Sequence, residues 1–301
     1  MRMEEFAEEV LKEVTEKAGD RLSVQTVSAN KNNGITLTGI TASKHEGKGG
    51  ACIYLNSYYK GYCDGQITLD WVAEDVYGKL MEHSGDLDSM DMRVLLDWEA
   101  AKGRIHAKLI NREMNRELLK RVPYREFLDL AVIYYVTVGG LSEGVNGAFT
   151  VSDQNMEVWR KDENALYQMA VSNMRLDGKP VFEDMEKIIR SMMPEEIPDF
   201  TFGIPKFRSY VLTNPKKVFG AVELLDGNTL KGIGDELGGD FIVLPSSLHE
   251  SIIIPADGSV SYQELADMVT EINRNEVSIV ERLSDHVYLY ERGEGVLRIA
   301  A

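Results

Sequence analysis

Asp240-Phe-Ile-Val-Leu-Pro-Ser-Ser-Leu-His-Glu-Ser-Ile-Ile-Ile-Pro255 sets a polar stretch between two apolar runs. Phe241 to Leu244 has the aromatic and β-branched character of a buried strand, and Pro245 ends it because proline lacks a backbone donor. Ile252 to Ile254 resumes the apolar run. The pattern predicts two strands joined by a polar turn, where functional side chains are commonly presented. The polar side chains of this turn are Ser246, Ser247, His249 and Glu250.

The same order of elements occurs earlier in the chain. Residues 104–138 read as a strand, a short helix, a charged turn and a long apolar run, and residues 210–254 repeat that order with a longer helical stretch over 216–237. In both stretches the sequence Leu-x-Asn closes a strand, at Leu109 to Asn111 and at Leu212 to Asn214. In both, an apolar residue followed by proline precedes the turn, at Val122-Pro123 and at Leu244-Pro245. A helix follows each copy. We therefore predict a duplicated β-α-β-β unit with flanking helices, with copies at about 104–177 and 208–291.

The first hundred residues carry the signals of a separate α+β region. Residues 4–17 place apolar side chains on one helical stripe, and Asn33-Gly34 between two alternating runs predicts a β-hairpin. Thr68 is a suitable N-cap for a further helix. We expect an α+β fold with mixed sheets, an N-terminal domain over residues 1–100 and the duplicated region over residues 101–301.

The composition excludes several classes of partner. The 301 residues include 49 acids and 33 bases, for a formal net charge of −16, which repels phosphate backbones and anionic membranes. We expect neither nucleic acid nor membrane as a partner. The acidic N-terminal residues do not resemble a signal peptide, and the two cysteines form no CxxC pair, so the sequence indicates a cytoplasmic protein without a disulfide framework.

The turn contains the residue types of a hydrolase triad. Ser246, Ser247, His249 and Glu250 are so close in sequence that nucleophile and base cannot easily face each other, and no GxSxG motif is present. The alternative is that a serine bonds backbone amides of the loop while His249 and Glu250 bond across to the other copy. The five histidines lack metal-ligand spacing, so we expect neither a metal site nor a cofactor.

Basic residues cluster in the first copy. Residues 102–125 carry a net charge of +6 within this acidic chain, and Lys206, Arg208, Lys216 and Lys217 form a second basic group near the start of the second copy. Clustered guanidinium groups suit the recognition of carboxylate or phosphate, and internal pairing with the surplus acids is the alternative. The sequence leaves both a protein and a small anionic ligand possible as partner.

Several motifs together resemble one known family. They are Asn33-Gly34-Ile35-x-Leu37-Thr38-Gly39-Ile40, Ile53-Tyr54-Leu55-Asn56-x-Tyr58-Tyr59, Leu109-Ile110-Asn111, Val122-Pro123-x-Arg125-Glu126-Phe127-Leu128-Asp129-Leu130 and Leu244-Pro245-Ser246-Ser247-x-His249-Glu250. Over nearly the whole chain the sequence resembles a bacterial family known only as a domain of unknown function. The resemblance implies a bacterial cytoplasmic protein, and it implies no activity, cofactor or catalytic residue.

These observations favour a non-catalytic binding or interaction protein with a polar site between the two copies. The residues expected to gather there are Asn111, Arg125, Glu126, Asn214, His249 and Glu250, because matching turns meet if the copies pack about a pseudo-twofold axis. The alternative hypothesis is a hydrolase or transferase that acts on a small anionic substrate at the Ser246–Glu250 turn. A convergent pocket around His249 would favour the enzyme, and an apolar face would favour the binding protein.

Overall fold

The computed structural model describes residues 1–43, 52–83, 91–138, 147–191, 207–258 and 260–301. The α-helices are α1 Met3–Ala18, α2 Asn56–Cys63, α3 Leu69–Glu82, α4 Trp98–Ala101, α5 Arg116–Leu119, α6 Asp153–Trp159, α7 Glu163–Asp177, α8 Met185–Ser191, α9 Gly227–Leu237 and α10 Tyr262–Asn275. The strands are β1 Ser23–Asn30, β2 Thr36–Ser43, β3 Cys52–Tyr54, β4 Ile105–Asn111, β5 Tyr124–Phe127, β6 Leu130–Val138, β7 Gly147–Thr150, β8 Val181–Asp184, β9 Tyr210–Thr213, β10 Phe241–Leu244, β11 Ser251–Pro255, β12 Tyr288–Glu291 and β13 Val296–Ile299.

The chain divides into two compact units. Unit 1 contains Met1–Leu95 and Thr137–Phe149, and unit 2 contains Leu96–Val136 and Thr150–Ala301. The first division lies close to residue 100, where the sequence predicts a domain boundary, while residues 137–149 were expected in the duplicated region. Among the described residues, no helix combines the length and the apolar character that a membrane span requires.

Unit 1 is a three-stranded antiparallel sheet packed on helices. The strand order is β1-β2-β3, and α1 packs against β1 and α3. The apolar stripe of α1 is buried, as its 3.6-residue period predicts, with Phe6, Val10 and Val14 fully inaccessible. Asn33 adopts the left-handed conformation, φ 59°, in the hairpin connection between β1 and β2. The predicted hairpin is therefore present, and a residue type that tolerates positive φ makes its turn.

Unit 2 is built on two further antiparallel sheets. One has the order β4-β6-β5, and the other has the order β13-β12-β10-β11-β9-β8. In the first sheet β6 lies between β4 and β5, and in the second β11 lies between β9 and β10. The two sets of three strands thus have the same order along the chain and the same pairing. This agreement is what a duplication requires, and the duplication itself stays a prediction.

Two apolar runs predicted as interior strands lie in β6 and β11. Val132 to Val136 lies in β6 and Ile252 to Ile254 in β11, and each strand is flanked by a partner on both sides. Strands whose two edges are paired and whose faces are covered need apolar side chains along their length. The prediction that both runs form interior strands is confirmed.

The α+β class is confirmed, and two details of the prediction differ. Every described strand pair is antiparallel, where mixed sheets were expected. The helix predicted over residues 216–237 begins only at Gly227. Residues 220–225 form a 3₁₀ turn instead, because Lys217 and Phe219 take left-handed backbone conformations that an α-helix cannot contain. Lys206, named above in a basic group, lies outside the described residues.

We expect Ile253→Ala to reduce the free energy of unfolding by about 2–5 kcal/mol, because its side chain is 0% exposed in the interior strand β11. Urea unfolding monitored by circular dichroism measures this change. The matched control is Ile299→Ala on β13, where the side chain is 42% exposed and the expected change is about 0.5 kcal/mol or less. Equal losses in the two variants would contradict the interior position of β11.

Candidate functional site

The residues between β9 and the 3₁₀ turn form a loop held by its own asparagine. We name residues 214–220 the Asn214 loop. The Asn214 side chain donates from Nδ2 to the Val218 carbonyl at 2.7 Å, and its Oδ1 accepts from the Val218 amide at 3.2 Å. The Lys217 amide also donates to the Asn214 carbonyl, at 3.0 Å. An amide side chain that satisfies both backbone groups of a residue four positions away closes the loop as a backbone turn would.

Two non-glycine residues of this loop have left-handed backbones, and one glycine has no space for a side chain. Lys217 has φ 52° and Phe219 has φ 54°. A Cβ atom on Gly220 would lie 2.0 Å from Thr213 Oγ1 and 2.4 Å from the His249 carbonyl oxygen. Sparsely populated backbone conformations persist only where surrounding contacts hold them, and they concentrate at functional sites. Contacts with Thr213 and His249 therefore hold the Asn214 loop in this conformation.

His249 holds the loop from the turn that follows β10. Its Nδ1 accepts a hydrogen bond from the Phe219 amide at 3.3 Å, and its ring stacks on the Phe219 ring with 5.6 Å between centroids and an interplanar angle of 14°. Because an amide can only donate, Nδ1 carries no proton, and the neutral imidazole has its hydrogen on Nε2. Nε2 lies 3.9 Å from Glu281 Oε1.

Four rings follow one another from the first sheet to this turn. We name His106, Tyr135, Phe219 and His249 the ring row, and the centroid distances along it are 5.4, 5.4 and 5.6 Å. His106 and Tyr135 are register partners on β4 and β6, so they share one face of the sheet. The Lys108 ammonium lies 4.7 Å from the Phe219 centroid. All five side chains are half-buried, which leaves part of the ring row at the surface.

Asp177, the last residue of α7, connects the ring row to the loop. Its carboxylate lies 3.4 Å from His106 Nδ1 and 2.8 Å from Lys216 Nζ. Burial lowers the pKa of the His106 imidazole, Asp177 acts in the opposite direction and Lys216 lowers it further. Burial also raises the pKa of Tyr135 to about 12, with a contribution from Asp177. Both groups are therefore held in their neutral forms at neutral pH.

A buried glutamate lies in the 3₁₀ turn that follows the Asn214 loop. Glu223 is only 3% exposed. Burial raises its pKa to about 7, and the charges of Asp226 and Asp177 add to the effect. Asp226 itself accepts from Arg175 at 2.9 Å. Glu223 thus has a pKa near neutrality.

The serines expected at the site have structural contacts. Ser247 is buried, and its Oγ accepts a hydrogen bond from the His249 amide at 3.0 Å, so the hydroxyl bonds the backbone of its own turn. Ser246 is half-buried and Glu250 is exposed. The backbone of this segment pairs with a second segment through two hydrogen bonds, from Leu248 N to Glu281 O and from Leu283 N to Ser246 O. This arrangement matches the backbone-bonding alternative rather than a triad.

Asn111 contacts the segment of residues 281–283 that pairs with the turn after β10. A contact between the two predicted copies was expected of this residue. Its Nδ2 donates to the Leu283 carbonyl at 2.9 Å. Next to it, Asp129 accepts from Ser284 Oγ at 2.7 Å and from the Tyr288 hydroxyl at 2.5 Å. Burial and the Asp129 charge raise the pKa of Tyr288, which keeps the hydroxyl a donor. Polar groups at strand ends of the first predicted copy therefore bond residues of the second predicted copy, although Asp129 was not expected among them.

The hydrogen bonds of Arg125 and Glu126 lead away from His249, which corrects the cluster expected from the sequence. Arg125 donates to both carboxylate oxygens of Glu163 at 3.1 and 2.8 Å and to Asn164 Oδ1 at 2.6 Å. Glu126 pairs with Arg112 at 2.9 Å. Arg125 therefore fixes the start of α7 on the first sheet. Both residues therefore form ion pairs within the protein, which is the alternative to the recognition of an anionic ligand.

Of the residues predicted for the site, Asn214 and His249 both contact the loop of residues 214–220, and Asn111 contacts Leu283, while most of the residues around them were not predicted. The missed residues are His106, Lys108, Tyr135, Asp177, Phe219 and Glu223. Alternation along Ile105–Leu109 does place His106 and Lys108 on one face of a strand, and that signal was available. The pairing of Phe219 with His249, 30 positions apart, has no local signal.

The chain matches the model of a family of unknown function, DUF5688, over residues 3–292. No curated protein and no solved structure matches it. In the described part of the chain, no group of three or more His, Cys, Asp and Glu side chains is arranged to hold a metal ion.

We expect Gly220→Ala to reduce the free energy of unfolding by about 1–3 kcal/mol, because the new Cβ forces the backbone away from Thr213 and His249. Urea unfolding measures the loss. The control is Gly232→Ala in α9, where a Cβ meets nothing within 4 Å and alanine favours the helix by about 0.5–1 kcal/mol. A neutral Gly220→Ala would show that the loop is not held as described.

We expect Glu223→Gln to stabilise the protein at pH 8 and to have little effect at pH 4.5. The folded pKa of Glu223 is raised from 4.5 to about 7, so its stabilising contribution is complete below about pH 4.5 and is lost as pH rises through about 7. The difference amounts to about 3 kcal/mol at most. Urea unfolding at the two pH values measures it, with the exposed Glu271→Gln as control. An equal effect at both values would contradict the raised pKa.

Proposed function

We propose that this chain, which belongs to that family of unknown function, is a non-catalytic interaction protein of the bacterial cytoplasm. It binds a protein partner through the Asn214 loop and the exposed part of the ring row. This surface combines β4 and β6 of the first predicted copy with the loop and turn of the second. The proposed surface thus draws on both predicted copies, and the residues around His249 in it differ from the set predicted from the sequence.

The observation that carries the proposal is a loop closed by its own hydrogen bonds, with an apolar side chain on its outside. Val218 is 46% exposed although Asn214 bonds both of its backbone groups. Leu176, 82% exposed, precedes the Asp177 that pairs with Lys216 of the loop. Pre-organised loops lose little conformational entropy on binding, and exposed apolar residues on them are typical of interaction sites.

The surroundings have the composition of a protein interface. The ring row supplies aromatic area next to the loop, and charged groups such as Lys216, Asp177 and Glu281 lie around it. Interfaces enrich aromatic residues at the centre and place charges at the rim. The amides of Lys217, Val218 and Phe219 already have partners inside the protein, so the loop does not offer them to a small anion. These contacts favour a protein surface over an anionic ligand.

The hydrogen bond that His249 Nδ1 accepts argues against the hydrolase or transferase alternative. A general base needs a free lone pair, and the one on Nδ1 is engaged by the Phe219 amide. The Ser247 hydroxyl accepts from the backbone of its own turn. The free thiols, Cys52 and Cys63, fit a reducing compartment and thus support the cytoplasmic part of the proposal.

The proposal is tested with a photo-crosslinking amino acid at Leu176 in the full chain, expressed in a bacterium that encodes it. We expect a discrete crosslinked product that is reduced about tenfold or more by Val218→Asp, because a charge replaces the central apolar contact. The same probe at Ile272 on α10, which is 41% exposed, is the control and should give no such product.

Two outcomes would overturn the proposal. The first is a set of products that is the same for both probe positions or is unchanged by Val218→Asp. The second is an esterase or phosphatase activity on p-nitrophenyl substrates that both Ser247→Ala and His249→Gln abolish. Circular dichroism of each variant confirms that it is folded.

A further inference from the structure

Strand β1 leaves one long edge of the unit 1 sheet unpaired among the described residues. It pairs with β2 through all eight of its residues, and the strand order β1-β2-β3 places nothing described on its other side. In an antiparallel pair every second residue directs its N–H and C=O away from the partner, so four residues present both groups outward. Ser23, Gln25, Thr26, Ser28 and Asn30 are exposed.

The other sheet edges carry the features that prevent strand addition, and β1 does not. Proteins protect edges by shortening them, by charged side chains or by covering them. The edge strand β3 is only three residues long. Four residues, at least one of them charged, make up each of the edge strands β5, β8 and β13. The edge strand β4 contains Lys108 and packs on the 3₁₀ turn of residues 220–225. β1, Ser-Val-Gln-Thr-Val-Ser-Ala-Asn, is eight residues long with neither a charge nor a proline. An edge of this kind accepts an extended peptide.

Fixed cations stand at both ends of this edge. The Arg21 guanidinium lies 5.5 Å from the centroid of the Tyr77 ring and donates to the Ala18 and Lys17 carbonyls. The Lys31 ammonium lies 4.2 Å from the centroid of the Tyr54 ring. In the described part of the chain, neither cation forms a salt bridge with a carboxylate. Two positive charges therefore flank an uncharged strand in a protein of net charge −16.

We propose that the β1 edge binds an extended strand of another protein, uncharged in its middle and acidic at both ends. The backbone groups of β1 supply the hydrogen bonds, and Arg21 and Lys31 select the acidic ends. A second copy of this chain is a poor occupant. Antiparallel self-pairing centred on Thr26 would set Arg21 opposite Lys31, and like charges in facing positions are destabilising. This surface lies in unit 1 and is independent of the Asn214 loop.

The probe is a capped peptide of about eleven residues, the span from Arg21 to Lys31, with alternating valine and threonine between terminal glutamates. The comparison peptide has terminal lysines. We expect the glutamate peptide to bind the full chain about tenfold more tightly than the lysine peptide at low salt, because two exposed ion pairs are gained. Fluorescence anisotropy measures affinity, and hydrogen exchange should show slowed exchange at the outward amides of β1.

Reversing the charges of Arg21 and Lys31 tests whether these two cations select the acidic peptide ends. The double variant Arg21→Glu/Lys31→Glu should invert the preference between the peptides, while Lys12→Glu, a charge reversal at one exposed position on α1, should leave it unchanged. Unchanged hydrogen exchange in α1 confirms that the variants are folded, and Lys31→Glu alone replaces the double variant if they are not. Equal affinity for both peptides, protection outside β1, or dimerisation through β1 in light scattering would each overturn the proposal.

Discussion

The close approach of Gly220 to the His249 carbonyl is the constraint on which the site depends. The chain leaving β9 passes so near the turn after β10 that Thr213 Oγ1 donates to the same carbonyl at 2.7 Å. Phe219 must then take a left-handed backbone to enter this passage, and in doing so it brings its amide to His249 Nδ1 and its ring onto the imidazole. This one backbone contact thus determines the conformation of the Asn214 loop, the tautomer of His249 and the stacking of Phe219 on His249 in the ring row.

Within unit 2, polar side chains form hydrogen bonds between segments that are distant in sequence. Asn111 ends β4 and bonds the Leu283 carbonyl, Asp129 precedes β6 and bonds Tyr288, and Asn173 of α7 donates to the Ile105 carbonyl at 2.8 Å. Each of these residues bonds a backbone or hydroxyl group of another segment, and leaving a buried group of this kind without a partner costs about 1–3 kcal/mol. The apolar strands form the sheets, and these few polar contacts decide how the sheets are placed.

The electrostatics of unit 2 separate two kinds of charged residue. Arg116 and Lys120 pair with acids three positions away in sequence, Glu113 and Glu117, and such exposed pairs contribute little to stability. The group around Asp177 is different, because Asp177, His106 and Lys216 come from three elements and lie beside the buried Glu223. Within residues 102–125, five of the eight basic residues pair with an acid of this chain, namely Lys102, Arg112, Arg116, Lys120 and Arg125.

Much of the architecture was determined by the sequence alone. Apolar runs of β-branched residues made β6 and β11 interior strands, Asn33 and Gly34 formed the hairpin, and the α1 stripe predicted its buried face, because each signal acts over a few residues. Only the tertiary structure decided that Arg125 bonds Glu163, 38 positions away, and that Phe219 stacks on His249. Among 49 acids many carboxylates could have paired with Arg125, and the left-handed backbone of Phe219 is imposed by contacts with distant segments. Periodicity therefore predicts which residues are buried, and packing between distant segments selects which polar groups meet.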